Sequence, residues 1–74
     1  MEYGVYVKLN SLSHVVAIGS DAFITPTSEW TKIDSGKGDK YKHAQGNYLP
    51  KPVRNFRMEC QYMFVDGKIV ERAI

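Results

Sequence analysis

Apolar side chains recur at every second position at both ends of this chain, and that period most constrains what it can fold into. At the amino end Tyr3, Val5, Val7 and Leu9 alternate with Glu2, Gly4, Tyr6 and Lys8. A period of two belongs to a strand with one face buried. Asn10-Ser11-Leu12-Ser13 has turn chemistry, and His14-Val15-Val16-Ala17-Ile18 is apolar and rich in β-branched residues. Together they predict an antiparallel hairpin that ends at Gly19-Ser20-Asp21. At the carboxyl end Phe56, Met58, Cys60, Tyr62 and Phe64 hold the even positions, with Arg57, Glu59 and Gln61 between them. This predicts a half-buried strand over residues 56–64. Asp66-Gly67 suits a two-residue hairpin turn, because both of its positions need positive φ. Residues 68–72 are then the return strand.

The middle is less regular. Residues 21–24 fit a helical turn or a short extended piece equally. Thr25-Pro26-Thr27-Ser28 is a loop, since proline biases the residue before it away from helix. Trp30-Thr31-Lys32-Ile33-Asp34 alternates and predicts a short third strand, broken by Ser35-Gly36-Lys37-Gly38. Residues 39–46 suit about two helical turns, capped by Asp39 and ended by Gly46, with a structured loop as the alternative. Pro50 and Pro52 make residues 47–52 extended. The chain has 74 residues, 43% hydrophobic and 24% charged, an ordinary globular mix for one domain. Two isolated hairpins are marginal in water, so they must share a core. Trp30, Phe23, Tyr48 and the even face of residues 56–64 are its natural contributors. The expected fold is α+β and β-rich: two antiparallel hairpins sharing one core, with a short third strand and one short helix, in a single domain over residues 1–74.

Several function classes lack their chemistry. One cysteine, Cys60, cannot form an internal disulfide. His14, His43 and Cys60 are scattered without the paired spacing of a zinc site, so no metal is expected. Cys60 at an inward strand position among apolar neighbours is an inert thiol rather than a nucleophile. No catalytic residue and no cofactor are expected. Gly36-Lys37-Gly38-Asp39-Lys40 lacks the spacing and the hydroxyl of a phosphate-binding loop, although amides there with Lys37 and Lys40 could hold an anion weakly. The first residues lack a basic and apolar leader, and no apolar run spans a membrane, so synthesis in the cytoplasm and no membrane partner are expected.

Net charge is only +2, but it is unevenly spread. Residues 30–58 carry seven bases and two acids; the rest of the chain carries three bases and six acids. A basic middle can touch phosphate or an acidic partner. It is interleaved with Trp30, Tyr41, Tyr48 and Phe56, as in surfaces that stack bases and track a nucleic-acid backbone. Lys37, Lys40, Lys42, His43, Gln45 and Asn47 are the candidate partner or anion contacts. For His43, Gln45 and Asn47 the plainer role is local hydrogen bonding that fixes a turn around Gly46.

The run from Trp30 to Tyr48 also resembles small proteins encoded in the tail-region gene clusters of phages and prophages of Gram-positive bacteria. The match lies at Trp30, Ile33, Asp34, Gly36, Gly38, Asp39, Tyr41, at His43-Ala44-Gln45-Gly46-Asn47-Tyr48, and at Pro52. Val65-Asp66-Gly67-Lys68-Ile69-Val70-Glu71-Arg72 matches the closing hairpin, and Tyr6-Val7-Lys8-Leu9-Asn10 and Ala22-Phe23 also fit. The chain departs from the pattern at Arg54-Asn55-Phe56-Arg57-Met58-Glu59-Cys60, where a short acidic or glycine-containing turn is expected. The resemblance implies a virion or tail-region protein, without catalytic activity, that assembles with other phage tail proteins or with itself. It implies the cytoplasm of the bacterial host during synthesis and the virion as a later location. A small nucleic-acid-binding accessory protein using residues 37–57 is the alternative.

Overall fold

The computed structural model describes residues 1–73. Strands β1 (Glu2–Leu9), β2 (Val15–Ser20) and β3 (Trp30–Lys37) form an antiparallel sheet in the order β2-β1-β3. Two single-turn helices follow, α1 (Asp39–Lys42) and α2 (Ala44–Asn47). Strands β4 (Tyr62–Val65) and β5 (Lys68–Glu71) make a separate antiparallel pair. The fold is β-rich, with two hairpins sharing one core, as the alternation predicts.

The first hairpin turns on Asn10. Its side-chain oxygen accepts the amides of Leu12 at 2.9 Å and His14 at 3.0 Å. Such a local bond is how asparagine favours turns. β1 is the central strand, and each neighbour carries a bulge against it. Val16 is the extra residue in β2, and Ile33 is the extra residue in β3. The second hairpin closes on Asp66 at φ 50° and Gly67 at φ 78°, the backbone that an Asp-Gly turn requires. The hairpins meet where His14 bridges Met63 and the Phe64 amide donates to the Ser13 carbonyl at 2.9 Å.

The core is small and aliphatic. Val5, Val7 and Val15 are fully buried, and Ala44 and Tyr62 nearly so. Leu9, Ile18, Ile33, Leu49, Val53 and Ile69 pack around Val7, Val15 and Tyr62. Burying this apolar surface is the main force joining the two hairpins. Tyr62 accepts the Lys51 amide on its hydroxyl at 3.0 Å, so its polar end is satisfied inside.

Four expectations are corrected. β3 does not stop at Asp34; Ser35, Gly36 and Lys37 pair with Gly4, Tyr3 and Glu2, and those ladder bonds outweigh the weak strand preference of Ser and Gly. The helix over residues 39–46 is broken at His43, with Gly38 rather than Asp39 at its cap and Gly46 inside α2. The Ser20 hydroxyl takes the Lys42 carbonyl, an acceptor that a continuous helix would use, while Ala44 turns in to be buried. α2 includes Asn47, and Tyr48 keeps helical dihedrals, so the bend over residues 47–52 replaces an extended segment.

The largest correction concerns residues 56–64. Only the part from Tyr62 onward is strand. Phe56 is 89% exposed and Met58 68% exposed, so neither is core. Phe23 is also exposed, and Trp30 and Tyr48 are only half-buried. Residues 54–60 instead form a tight loop, with Arg54 bridged to Cys60 at its base. Cys60 is half-buried there.

Candidate interaction site

The six candidate residues all lie on the α1–α2 segment and the strand end that feeds it. Lys37 ends β3, Lys40 and Lys42 belong to α1, His43 separates the helices, and Gln45 and Asn47 belong to α2. All are exposed except His43, which is half-buried. The segment is anchored from below by tyrosines. The Tyr41 ring lies over Gly36, where an added Cβ would come within 2.6 Å of ring atoms. The Tyr48 phenol donates to Asp34 Oδ2 at 2.6 Å, and the Ser35 amide donates to Asp34 Oδ1 at 2.8 Å.

Those bonds set the local electrostatics. The Tyr48 phenol, then the Ser35 amide, and then the Lys40 charge hold the Asp34 carboxyl below its ordinary value. Burial, and then the Asp34 carboxylate, push the Tyr48 phenol well above its ordinary value. Lys40 spans both rings, with Nζ 5.6 Å from the Tyr41 centroid and 5.1 Å from that of Tyr48. The rings meet edge to face at 6.0 Å.

The polar trio divides. Asn47 Nδ2 donates to Asp39 Oδ2 at 3.1 Å, and His43 Nε2 lies 3.4 Å from Asp39 Oδ1. Both residues are therefore spent on joining α2 to α1 around Gly46. The His43 ring also packs on Phe23 at 5.1 Å. Gln45 stands free of these bonds and lines a small pocket with Ile18, Leu49 and Val53. Among the described residues Lys37, Lys40 and Lys42 have no ion-pair partner. The result is a basic ridge on a rigid aromatic base.

Of the aromatics interleaved with the basic stretch, three are occupied. Trp30 lies under Lys8 Nζ at 4.9 Å, and Tyr41 and Tyr48 are fixed as above. Phe56, at the tip of the loop over residues 54–60, differs in standing 89% exposed.

Sequence reasoning missed that loop. Asn55 organises it: its side-chain oxygen accepts the amides of Arg57 at 2.9 Å and Glu59 at 3.0 Å. Its Nδ2 donates to Glu59 Oε1 at 3.1 Å. The Asn55 amide donates to the Glu59 carbonyl, and the Met58 amide donates to the Asn55 carbonyl. Met58 sits at φ 64°, a strained backbone for a residue with a Cβ. Arg57 covers one side of the Phe56 ring, 5.4 Å from its centroid. The signal available in the sequence was Asn55 itself, a turn former that opens the alternating run.

Among the described residues no three His, Cys, Asp or Glu side chains are placed to share a metal ion, and no helix is long and apolar enough to cross a membrane. No family model, curated protein or solved structure matches the chain.

Proposed function

We propose that this chain is a non-enzymatic component of the tail region of a phage or prophage, acting through protein–protein interfaces. The observation that carries the interface half of this reading is the loop over residues 54–60. It holds Phe56 and Met58 in water on a hydrogen-bonded frame instead of folding them into the core. Large apolar groups held out at a cost in hydration suit burial against another protein. β3 and β5 are also edge strands, open to pairing with another chain. The tail half of the reading rests on the sequence resemblance around Trp30 to Tyr48.

Deleting the gene from a phage that carries it, followed by electron microscopy of the particles, tests this. Missing or malformed tails are expected. Normal tails with unchanged infectivity contradict it.

One observation favours a second reading, binding of nucleic acid along residues 37–57. Among the described residues Lys37, Lys40 and Lys42 stand exposed and without an ion-pair partner on one short segment. That reading requires binding that weakens steeply with salt and is lost on reversing Lys40 and Lys42 to glutamate.

A further inference from the structure

The loop over residues 54–60 does not stand alone. Its stem is a wall of a pocket. The Gln61 amide donates to the Val53 carbonyl at 2.8 Å, and Gln61 Nε2 donates to the Pro52 carbonyl at 2.8 Å. Val53 and Pro52 line a pocket of about 240 Å³ together with Ile18, Gly46, Leu49 and Pro50. The pocket is apolar on most sides. Its one charged wall residue, Lys51, is paired with Glu71, so nothing there repels Arg54 or Arg57. A protruding Phe–Met tip therefore rises from the same stem that walls an apolar pocket of side-chain size, with Phe56 three residues from Val53 in the chain.

From this juxtaposition we infer that this surface pairs with a second copy of the chain about a two-fold axis, each Phe56 entering the other copy's pocket beside Val53. A surface that carries both a projection and its receptacle is self-complementary, which a two-fold interface requires. Two Phe56 and two Met58 side chains, with the walls they cover, bury on the order of 1,000 Å². That is the low end of specific interfaces, so the dimer is reversible and concentration-dependent. A second groove, about 440 Å³ between Tyr48 and Ile69, is a poorer receptacle. Lys40 and Lys68 line it against Glu71 alone, and the incoming Arg57 would add like charge.

The inference rests on the reading that the chain works through protein interfaces, and narrows that reading to one surface. Two substitutions address it without touching the core. Phe56→Ser removes a side chain that is 89% exposed. Gly46→Trp plugs the pocket from a position where an added Cβ meets nothing within 4 Å. Sedimentation velocity over a wide concentration range compares both with the unmodified chain, after circular dichroism has shown all three folded. A reversible dimer of the unmodified chain, weakened about tenfold or more by each substitution, is expected. A dimer or larger oligomer that ignores both substitutions overturns the inference while leaving assembly through another surface, such as a strand edge. A monomer at every concentration overturns it too, and assembly with other tail proteins is then decided by the deletion experiment.

Discussion

Tyr48 ties the end of α2 to the middle of β3 through one bond, from its phenol to Asp34 Oδ2 at 2.6 Å. The same bond lowers the titration of the carboxyl and raises that of the phenol. It makes the α1–α2 ridge a fixed surface rather than a loose loop.

Stability should therefore fall at both ends of the pH scale. Asp34 titrates below its unfolded value of 3.8, so its contribution is full above that pH and is lost as pH falls through the lowered value. Tyr48 titrates above its unfolded value of 10.0, so its contribution is full below pH 10.0 and is lost as pH rises beyond it. Tyr48→Phe should shrink the alkaline loss, leaving what Lys51 contributes through Glu71, and remove part of the acid loss. It should cost about 1 kcal/mol at neutral pH, below the usual range for a bond to a charged group, because both side chains are partly in water. Urea unfolding of both proteins from acid to alkaline pH measures this. Identical alkaline limbs would count against the bond.

Gly36→Ala should cost about 1–3 kcal/mol, because the added methyl comes within 2.6 Å of Tyr41 ring atoms and forces the ring from its place. The displaced ring should lose its edge contact with Tyr48, seen as moved aromatic proton resonances. Unmoved resonances would mean the ring does not rest on Gly36.

Asn55→Ala should free the exposed loop, with faster amide exchange at Arg57 and Glu59 and about 1 kcal/mol lower stability. Met58→Gly should do the reverse to the backbone, relieving the positive φ and leaving stability equal or up to about 1 kcal/mol higher. Slower unfolding of Asn55→Ala than of the unmodified chain would contradict this account of the loop.

The Asp66-Gly67 turn makes a separate prediction. Gly67 lies at φ 78°, so Gly67→Ala should cost about 1 kcal/mol and destabilise the β4–β5 pair first. Hydrogen exchange at Ile69 and Val70 reports it, and unchanged protection there would be inconsistent with the turn.

Legibility in the sequence followed the strength of local signals. β1 was readable because Val5 and Val7, fully buried, alternate with half-buried Tyr6 and Lys8, and Asp66-Gly67 marked its turn without help. Residues 56–60 alternate just as clearly, yet Asn55 captures the amides of Arg57 and Glu59 and turns the chain back on itself. A period of two records only which faces could be buried; whether a partner surface exists is a tertiary fact. β3 ran past Asp34 because its far end pairs with Glu2, Tyr3 and Gly4, which no local window contains. The core was expected from aromatics and is mostly valine: Val5, Val7 and Val15 of the first sheet are fully buried, while Phe23 and Phe56 are exposed. The candidate ridge was found by its charge, and its division into spent residues (His43, Asn47) and free lysines needed the position of Asp39.

The most direct test of the central claim is quantitative mass spectrometry of purified phage particles and of their tail-assembly intermediates. The account predicts this 8.4 kDa chain in fixed proportion to other tail proteins in one of the two. Its absence from both, in cells that demonstrably make it, would contradict the account.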